Sequence, residues 1–384
     1  MRVVYLNPVG EVGGGERSLL VTMAAVGRAW PGVERVLIAG TDGPLLARAR
    51  EMGIAVHLVP LSTAVQGLGD SGLRGQGRAA TVAALGRRLP AAGLGAWNAV
   101  RRLRDLLRRL RPDLVHSNGI KTHVLSTLAA PRGVPVLWHV RDYLGERPVI
   151  RWLLRAVPRP ALAVANSRSV ADDARRVLRG VPVEAVLNAI DTDRFTPGPG
   201  EVGLVATYAR WKGQDVFLRA AAEVGPAARF YVVGSPIYRT AGSQFTESEL
   251  RELAARHGVA DRVGFVPYQE DTAAVYRALD VVVHASTRPE PFGLTIAESM
   301  SCGRPTVVAA AGGAAELFTD GADATGHAPG DAAGLAKAVA RLVADADLRA
   351  RIGVAARQTA VERFGLKRYE REIDAVYRRL VRVL

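Results

Sequence analysis

With 384 residues, 48% hydrophobic and 23% charged, the chain is too long for one average domain and suits two α/β domains of roughly 150 to 200 residues each. The composition excludes a disordered chain, no run approaches the ~20 apolar residues that span a bilayer, and the single cysteine, Cys302, excludes an internal disulfide and fits a reducing compartment. The net charge of +14 falls wholly within residues 1–190, which hold 27 Lys+Arg against 13 Asp+Glu, while 191–384 hold 24 of each.

No nucleic-acid module accompanies that basic half. It reads either as attraction to an anionic membrane or lipid phosphate, or as plain solvated surface. The first residues, MRVVYLNPVG, form a strand and loop and lack the basic and apolar regions of a secretory signal. A cytoplasmic protein is expected, with peripheral contact at the inner membrane face left open.

Val3 to Leu6 is a buried first strand, ended by Asn7-Pro8. The glycine loop Gly10 to Glu16 follows, and then a helical pattern in Leu19, Leu20, Met23 and Val26. A strand, glycine loop and helix in succession bring bare amides of Gly14 and Gly15 to a phosphate, although a tight turn ahead of a helix has the same pattern. Val36–Ala39 and Ala55–Val59 read as strands with a helix around Pro44–Glu51 between them, so a parallel sheet with helices on both faces is expected. Residues 62–95, poor in periodicity, read as a mobile loop and short helix. Trp97–Leu110 is an amphipathic helix whose arginines surround an apolar face that packs on the sheet or lies on a membrane.

The strand Leu114–His116 leads to His116-Ser117-Asn118, Lys121 and His123; the bland alternative for His116 is a satisfied core histidine. Val136–His139 and Leu162–Ala165 are further strands, Arg141 lies in the loop after the first, and Asn166-Ser167 caps a helix. Asp191-Thr192-Asp193 spells a metal-binding DxD but sits in a linker-like segment, and Pro197–Gly200 marks a domain boundary by composition.

The second half opens with a strand at Val202–Thr207 and a basic turn, Arg210-Trp211-Lys212-Gly213, before a helix; cations there suit a diphosphate. Phe230–Val233 and Val263–Val266 are strands ending at Gly234 and at Pro267-Tyr268, where a nucleotide base would lie. Val281–His284 and Thr306–Ala309 flank the most informative stretch, RPEPFGLTIAESMSCGRPTVVAAAGGAAE. In it Glu290 sits in a loop, Pro291 and Gly293 break the chain, and Leu294–Met300 starts a helix that carries Glu298. The two acids would face one crevice, and the amides of Phe292, Gly293, Leu294 and Thr295 would favour an anion there. Cys302 reads as a small buried residue. A C-terminal helix is expected over Lys367–Leu384.

Glu290, Glu298, Gly312-Gly313 and Glu316 resemble the EPFGL…E…G.P…GG..E signature of the retaining glycosyltransferases of family 4. That resemblance implies the α/β GT-B architecture: two Rossmann-like parallel-sheet domains facing across a cleft, here 1–195 for the acceptor and 200–366 for the donor, with the helix 367–384 packing back toward the first. It implies transfer of a sugar from a UDP- or GDP-linked donor to an acceptor hydroxyl, with retention, no metal and no cofactor. Glu290, on the sugar, and Asn118 would be the catalytic residues and Glu298 would contact the ribose; Gly14, Gly15, Arg210, Lys212, Gly234, Tyr268 and the amides near Gly293 would hold the donor. Glu16, His116, Lys121, His123 and Arg141 would contact acceptor or sugar. Two departures stand out: Asn118 holds the place of the second His of the family's HxH, where an amide can position a hydroxyl but takes no proton, and the motif's Gly-Arg pair falls on Ala206-Thr207, leaving Arg210 as the substitute. A lipid-linked, saccharide or small-molecule acceptor remains open, as do a 2-epimerase of the same architecture and a non-catalytic sugar-binding protein.

Overall fold

The computed structural model describes residues 1–61, 95, 97–146, 148–193, 201–226, 228–237 and 242–381. They form two compact units, Met1–Asn188 with Tyr369–Leu384, and Ala189–Arg368. The expected loop at 62–95 lies almost wholly outside the described residues, as do Arg194, Phe195 and the boundary residues 197–200.

The first unit is built on β1 (Arg2–Asn7), β2 (Glu34–Ala39), β3 (Ala55–Leu58), β4 (Leu114–Asn118), β5 (Val136–Val140), β6 (Leu162–Ala165) and β7 (Val183–Ala185). These pair in the order β3-β2-β1-β4-β5-β6-β7, every pair parallel. Parallel pairing needs a crossover at each step, and the helices between the strands supply it. Alternation along the strands sorts their side chains onto two faces. Val4, Val36, Val115, Trp138 and Ala163 enter one apolar cluster with the helices 97–110, Ile120–Ala129 and Arg168–Val177. The helix 97–110 thus buries Val100, Leu103, Leu106 and Leu107 against the sheet, while Trp97 is 57% exposed. Ser167 caps its helix as expected, accepting from the Val170 N–H.

The opposite face carries Tyr5, His116 and His139, out of step by one residue with the apolar cluster. There the helix Gly14–Ala29 meets the helix Leu366–Val381: Thr22 Oγ1 and the Tyr369 hydroxyl lie 2.7 Å apart, and Arg28 pairs with Glu370. The helix after the glycine loop begins at Gly14, five residues ahead of the first apolar position read from the sequence.

The second unit holds β8 (Glu201–Val205), β9 (Phe230–Val233), β10 (Val263–Val266), β11 (Leu279–His284), β12 (Thr306–Ala309) and β13 (Thr325–His327) in the order β10-β9-β8-β11-β12-β13, again all parallel. Its core joins Val202, Leu204, Val232, Val281 and Val307 to the helices Gln214–Glu223 and Ala332–Ala344. Among the described residues no helix is long and apolar enough to cross a membrane.

Candidate active site

In a parallel sheet the carboxyl ends of all strands share one edge, and ligands collect there. In the second unit that edge carries Lys212 after β8, Gly234 after β9, Tyr268 after β10, and Ser286 and Glu290 after β11. Glu290 is 7% exposed, and its Oε2 receives three groups: Lys212 Nζ at 2.6 Å, Ser286 Oγ at 3.0 Å and His284 Nε2 at 3.2 Å. Burial by itself would raise the Glu290 carboxyl, but the Lys212 charge and His284 outweigh it and hold the group well below the usual carboxylate range. Every one of these bonds ends on Oε2. Oε1 has no partner among the described residues, so it can accept a hydroxyl of a bound sugar.

The turn Arg210–Lys212 is placed by Gly213, whose φ of +76° brings the backbone against Ala285; a Cβ there would stand 1.9 Å from the Ala285 carbonyl oxygen. Only glycine allows that approach. Lys212 is thereby brought to Glu290, its Nζ 4.1 Å from the Trp211 ring centroid. Arg210 is not brought there: its guanidinium pairs with Glu249 and lies 4.2 Å from the Phe245 ring centroid. The expected stand-in for the motif arginine is therefore engaged on the helix Glu247–Arg256 instead.

Gly293, with φ of +95°, caps the helix Leu294–Ser301 with no side-chain cap bond. The first intrahelical bonds come from Ile296 and Ala297 to the Gly293 carbonyl, at 3.0 and 3.3 Å, so the amides of Leu294 and Thr295 lie ahead of them and favour negative charge. The Phe292 ring is in the core, edge-on to Phe364, which leaves its backbone as the part able to face a ligand. Glu298 is buried one turn into this helix and accepts from the Tyr276 hydroxyl at 2.8 Å. Gly234 carries φ of +152° beside the Ala206 carbonyl, and Tyr268, 42% exposed, donates its N–H to Ser235 Oγ at 3.0 Å. Burial pushes the Cys302 thiol up to about 12, which removes it as a nucleophile.

The first unit has its own polar cluster at the carboxyl edge. Asn118, the last residue of β4, donates from Nδ2 to Asn7 Oδ1 at 2.7 Å and accepts on Oδ1 from Arg141 Nε. Arg141 also donates to Asn188 Oδ1 at 2.9 Å and to His139 Nδ1 at 3.2 Å. All three acceptors are neutral. Burial pulls the guanidinium down from its usual value, while Tyr369 and Glu16 act the other way. Glu16 itself accepts from the Gly13 N–H at 3.1 Å and from Asn7 Nδ2 at 3.3 Å, which occupies one bond on each oxygen. The amino end of the helix Gly14–Ala29 lies beside this arginine, a Cβ on Gly15 standing 3.6 Å from Arg141 Cδ. Gly14, Gly15, Glu16, Asn118 and Arg141 are thus brought together, and Asn7, His139 and Asn188 join them. These three were missed from sequence, although each is a polar residue at or just before the end of an apolar run, the position from which a side chain reaches this edge.

Two residues expected to contact acceptor or sugar lie in the core. His116 is fully buried, with Nδ1 on the Tyr377 hydroxyl and Nε2 on His139 Nδ1 at 3.2 Å. His123 is buried too, bonded from Nδ1 to Ser117 Oγ at 2.6 Å and stacked on Trp138 with centroids 5.1 Å apart. Burial, aided by the Arg141 charge, lowers His116 well below its ordinary value and His123 to about 3, so both rings are neutral core groups. Lys121 stands in the first turn of the helix Ile120–Ala129, partly exposed. Asp191 Oδ1 accepts the Asp193 N–H at 3.1 Å in a turn.

Comparison with known proteins agrees with this geometry. The family model described as Glycosyl transferases group 1 matches residues 193–359, and that described as Glycosyltransferase Family 4 matches 30–194. D-inositol 3-phosphate glycosyltransferase of Mycolicibacterium smegmatis is 32% identical over 255 residues, 57% of each chain. The protein of that name from Salinispora arenicola is 31% identical over 298 residues, 65% of this chain and 64% of the relative. The matched region therefore spans less than two thirds of either relative. Among solved structures, Anabaena Alr3699/HepE in complex with UDP and glucose superposes with a TM-score of 0.80 at 23% identity, covering 98% of this chain and 99% of that one. Sucrose-phosphate synthase from Thermosynechococcus elongatus gives 0.78 at 19% identity over the whole of both chains. At such identities the likeness establishes the fold, which is GT-B, as the family resemblance implied. With the two family models together covering residues 30–359, the chain belongs to the group 1, family 4 glycosyltransferases.

Proposed function

We propose that the protein moves a hexosyl or N-acetylhexosaminyl group from a UDP-sugar to a hydroxyl of an acceptor that carries an anionic group, with retention at the anomeric carbon and without a metal. The observation that carries this reading is the Glu290 carboxylate, anchored through Oε2 by Lys212, His284 and Ser286 with Oε1 left to accept a sugar hydroxyl. Lys212 and the amides of Leu294 and Thr295 supply positive potential for the departing diphosphate. Glu298 would serve the ribose. In the same-face course that the family resemblance implies, the bond from the anomeric carbon to UDP breaks as the bond to the acceptor oxygen forms, and the acceptor proton passes to the departing phosphate.

The choice of UDP draws on Alr3699/HepE, whose structures hold UDP, UDP-glucose, or UDP and glucose. An anionic acceptor is supported by Arg141, a partly buried guanidinium held only by neutral acceptors next to a helix amino end, since such a group gains most from a phosphate or carboxylate. The named acceptor of the relatives, an inositol phosphate, has that chemistry. A cytoplasmic role in cell-surface glycan or glycoconjugate synthesis accords with it.

The test is transfer from UDP-glucose, UDP-N-acetylglucosamine and GDP-mannose to D-inositol 3-phosphate, with UDP affinity measured separately. Transfer from one UDP-sugar, abolished in Glu290→Ala with UDP affinity kept within about tenfold, or ~1.4 kcal/mol, is expected. Failure to bind UDP, or turnover surviving Glu290→Ala, would overturn the reading.

A further inference from the structure

Building on Arg141 as the acceptor's anion site, we propose that Tyr377, His116 and His139 are positioning residues that hold this guanidinium in place, which makes the helix Leu366–Val381 a working part of the acceptor site. Tyr369 and Tyr377 are eight residues apart, on one face of that helix. Tyr369 acts to raise the Arg141 guanidinium against the effect of burial, and the Tyr377 hydroxyl reaches His116 Nδ1. Because His116 and His139 project from neighbouring strands on the sheet face opposite Trp138, their rings meet edge to edge, with centroids 5.3 Å apart.

The direction of each bond follows from the chemistry of one group. An arginine can only donate, so His139 Nδ1, 3.2 Å from Arg141 NH2, is an acceptor and the ring carries its hydrogen on Nε2. His116 Nε2 faces that same Nδ1 at 3.2 Å and must therefore donate. This leaves His116 Nδ1 as an acceptor, and the Tyr377 hydroxyl gives it its hydrogen. His139 Nδ1 thus shares its one lone pair between Arg141 and His116, and the Tyr377 hydrogen goes to the nearer of its two contacts, His116 Nδ1 rather than the Tyr5 hydroxyl 3.4 Å away.

The row is also poised to fail when its first member is removed. His139 Nε2 is buried with no partner among the described residues, so the hydrogen bonds that orient the ring are those at Nδ1. A buried donor without an acceptor favours rotation toward one. Without the Tyr377 hydroxyl, His116 Nδ1 is a buried acceptor with no donor and the ring loses its anchor on the helix. Its donation to His139 loosens with it, so that the His139 ring can turn and release Arg141. A phenylalanine at 377 keeps the aromatic ring and its packing and removes only the oxygen.

The experiment compares the full chain with Tyr377→Phe, reading histidine ring nitrogens and the Arg141 Nε–H by NMR alongside steady-state kinetics with D-inositol 3-phosphate. In the parent protein both rings are expected as the Nε2–H tautomer. In Tyr377→Phe the His116 Nδ1 signal should shift as it loses its donor, the Arg141 Nε–H should shift, and KM for the acceptor should rise about three- to tenfold, the loss of one hydrogen bond. Here kcat and UDP affinity should stay within about twofold, which general loosening of the fold would not spare. In an Arg141→Ala background the same substitution should leave KM unchanged, because the two act through one contact. Histidines in the other tautomer, or an Arg141 resonance unmoved by both Tyr377→Phe and His139→Gln, would overturn the proposal. If D-inositol 3-phosphate is no acceptor, the acceptor reading falls alone, and the resonances still decide the positioning.

Discussion

Around Glu290 the protein surrounds a buried carboxylate with an ammonium, an imidazole and a hydroxyl, whereas around Arg141 it surrounds a guanidinium with two amides and a neutral imidazole. The first charge is compensated within its own unit and stays ionised. The second has carboxylate influence only through space, from Glu16. A compensated carboxylate is suited to accept hydroxyls without drawing a counter-ion, while a guanidinium among neutral acceptors is suited to take an anion from a ligand. The contrast therefore separates a group that reads sugar hydroxyls from one that reads acceptor charge.

Breaking the compensated pair should give the largest effect. Lys212→Met leaves Glu290 buried without its cation and should destabilise the second unit by about 3–5 kcal/mol at pH 7, measured by hydrogen exchange of β8 and β11. The pH dependence carries a definite sign. Glu290 has a depressed folded value, so its contribution is present above the unfolded value near ~4.3 and is lost as pH falls toward the folded one. In Lys212→Met burial dominates and raises the group, so the gap between variant and parent should narrow on acidification below about pH 5. A gap that stays constant down to pH 3.5 would show that Lys212 is not the cause.

Glu290→Ala comes next, with kcat expected to fall by about 10²- to 10³-fold, the effect of removing one group that acts in the transition state. Arg141→Ala sharpens the contrast from the other side. It should raise KM for an anionic acceptor by about tenfold or more, the worth of a charged hydrogen bond, and leave KM for an uncharged alcohol acceptor unchanged. An equal rise for both acceptors would argue against charge reading by Arg141.

The smallest expected effect concerns His123, neutral and stacked on Trp138. Its folded value, about 3, lies below the unfolded value near ~6.5, so the unfolded chain binds the extra proton between those limits and stability falls as pH drops through that window. Each pH unit should cost about 1.4 kcal/mol for this residue. His123→Phe, which keeps the stacking, should lessen the slope of first-unit stability against pH between 6.5 and 5 by that amount, read by hydrogen exchange of β4 and β5.

Much of the fold was legible because buried parallel strands are short apolar runs bounded by turn residues. The stretches at Phe230–Val233, Val263–Val266 and Thr306–Ala309 coincide with β9, β10 and β12. Escaping the same reasoning were β7 and β13, three-residue strands at sheet edges. One of them, Thr-Gly-His, has no apolar run, and only its pairing with β12 makes it a strand. Glu290 and Lys212, singled out through the spacing of acids and cations around breaks in the chain, pair in the structure. The partners of Arg210, Glu249 and Phe245 from the next crossover, were not legible in the sequence.

Local chemistry along the chain settled which segments are strands, which turns need glycine, and which acids and cations stand ahead of helices, because each of those depends on neighbours within a few residues. The tertiary structure alone decided that Glu290 is anchored on one oxygen, that His116 and His123 are neutral core rings, and that Tyr377, 261 residues from His116, shares a row of hydrogen bonds with Arg141. Those outcomes depend on burial and on partners brought together from distant strands, and neither burial nor such a partner is written in the spacing of any one segment.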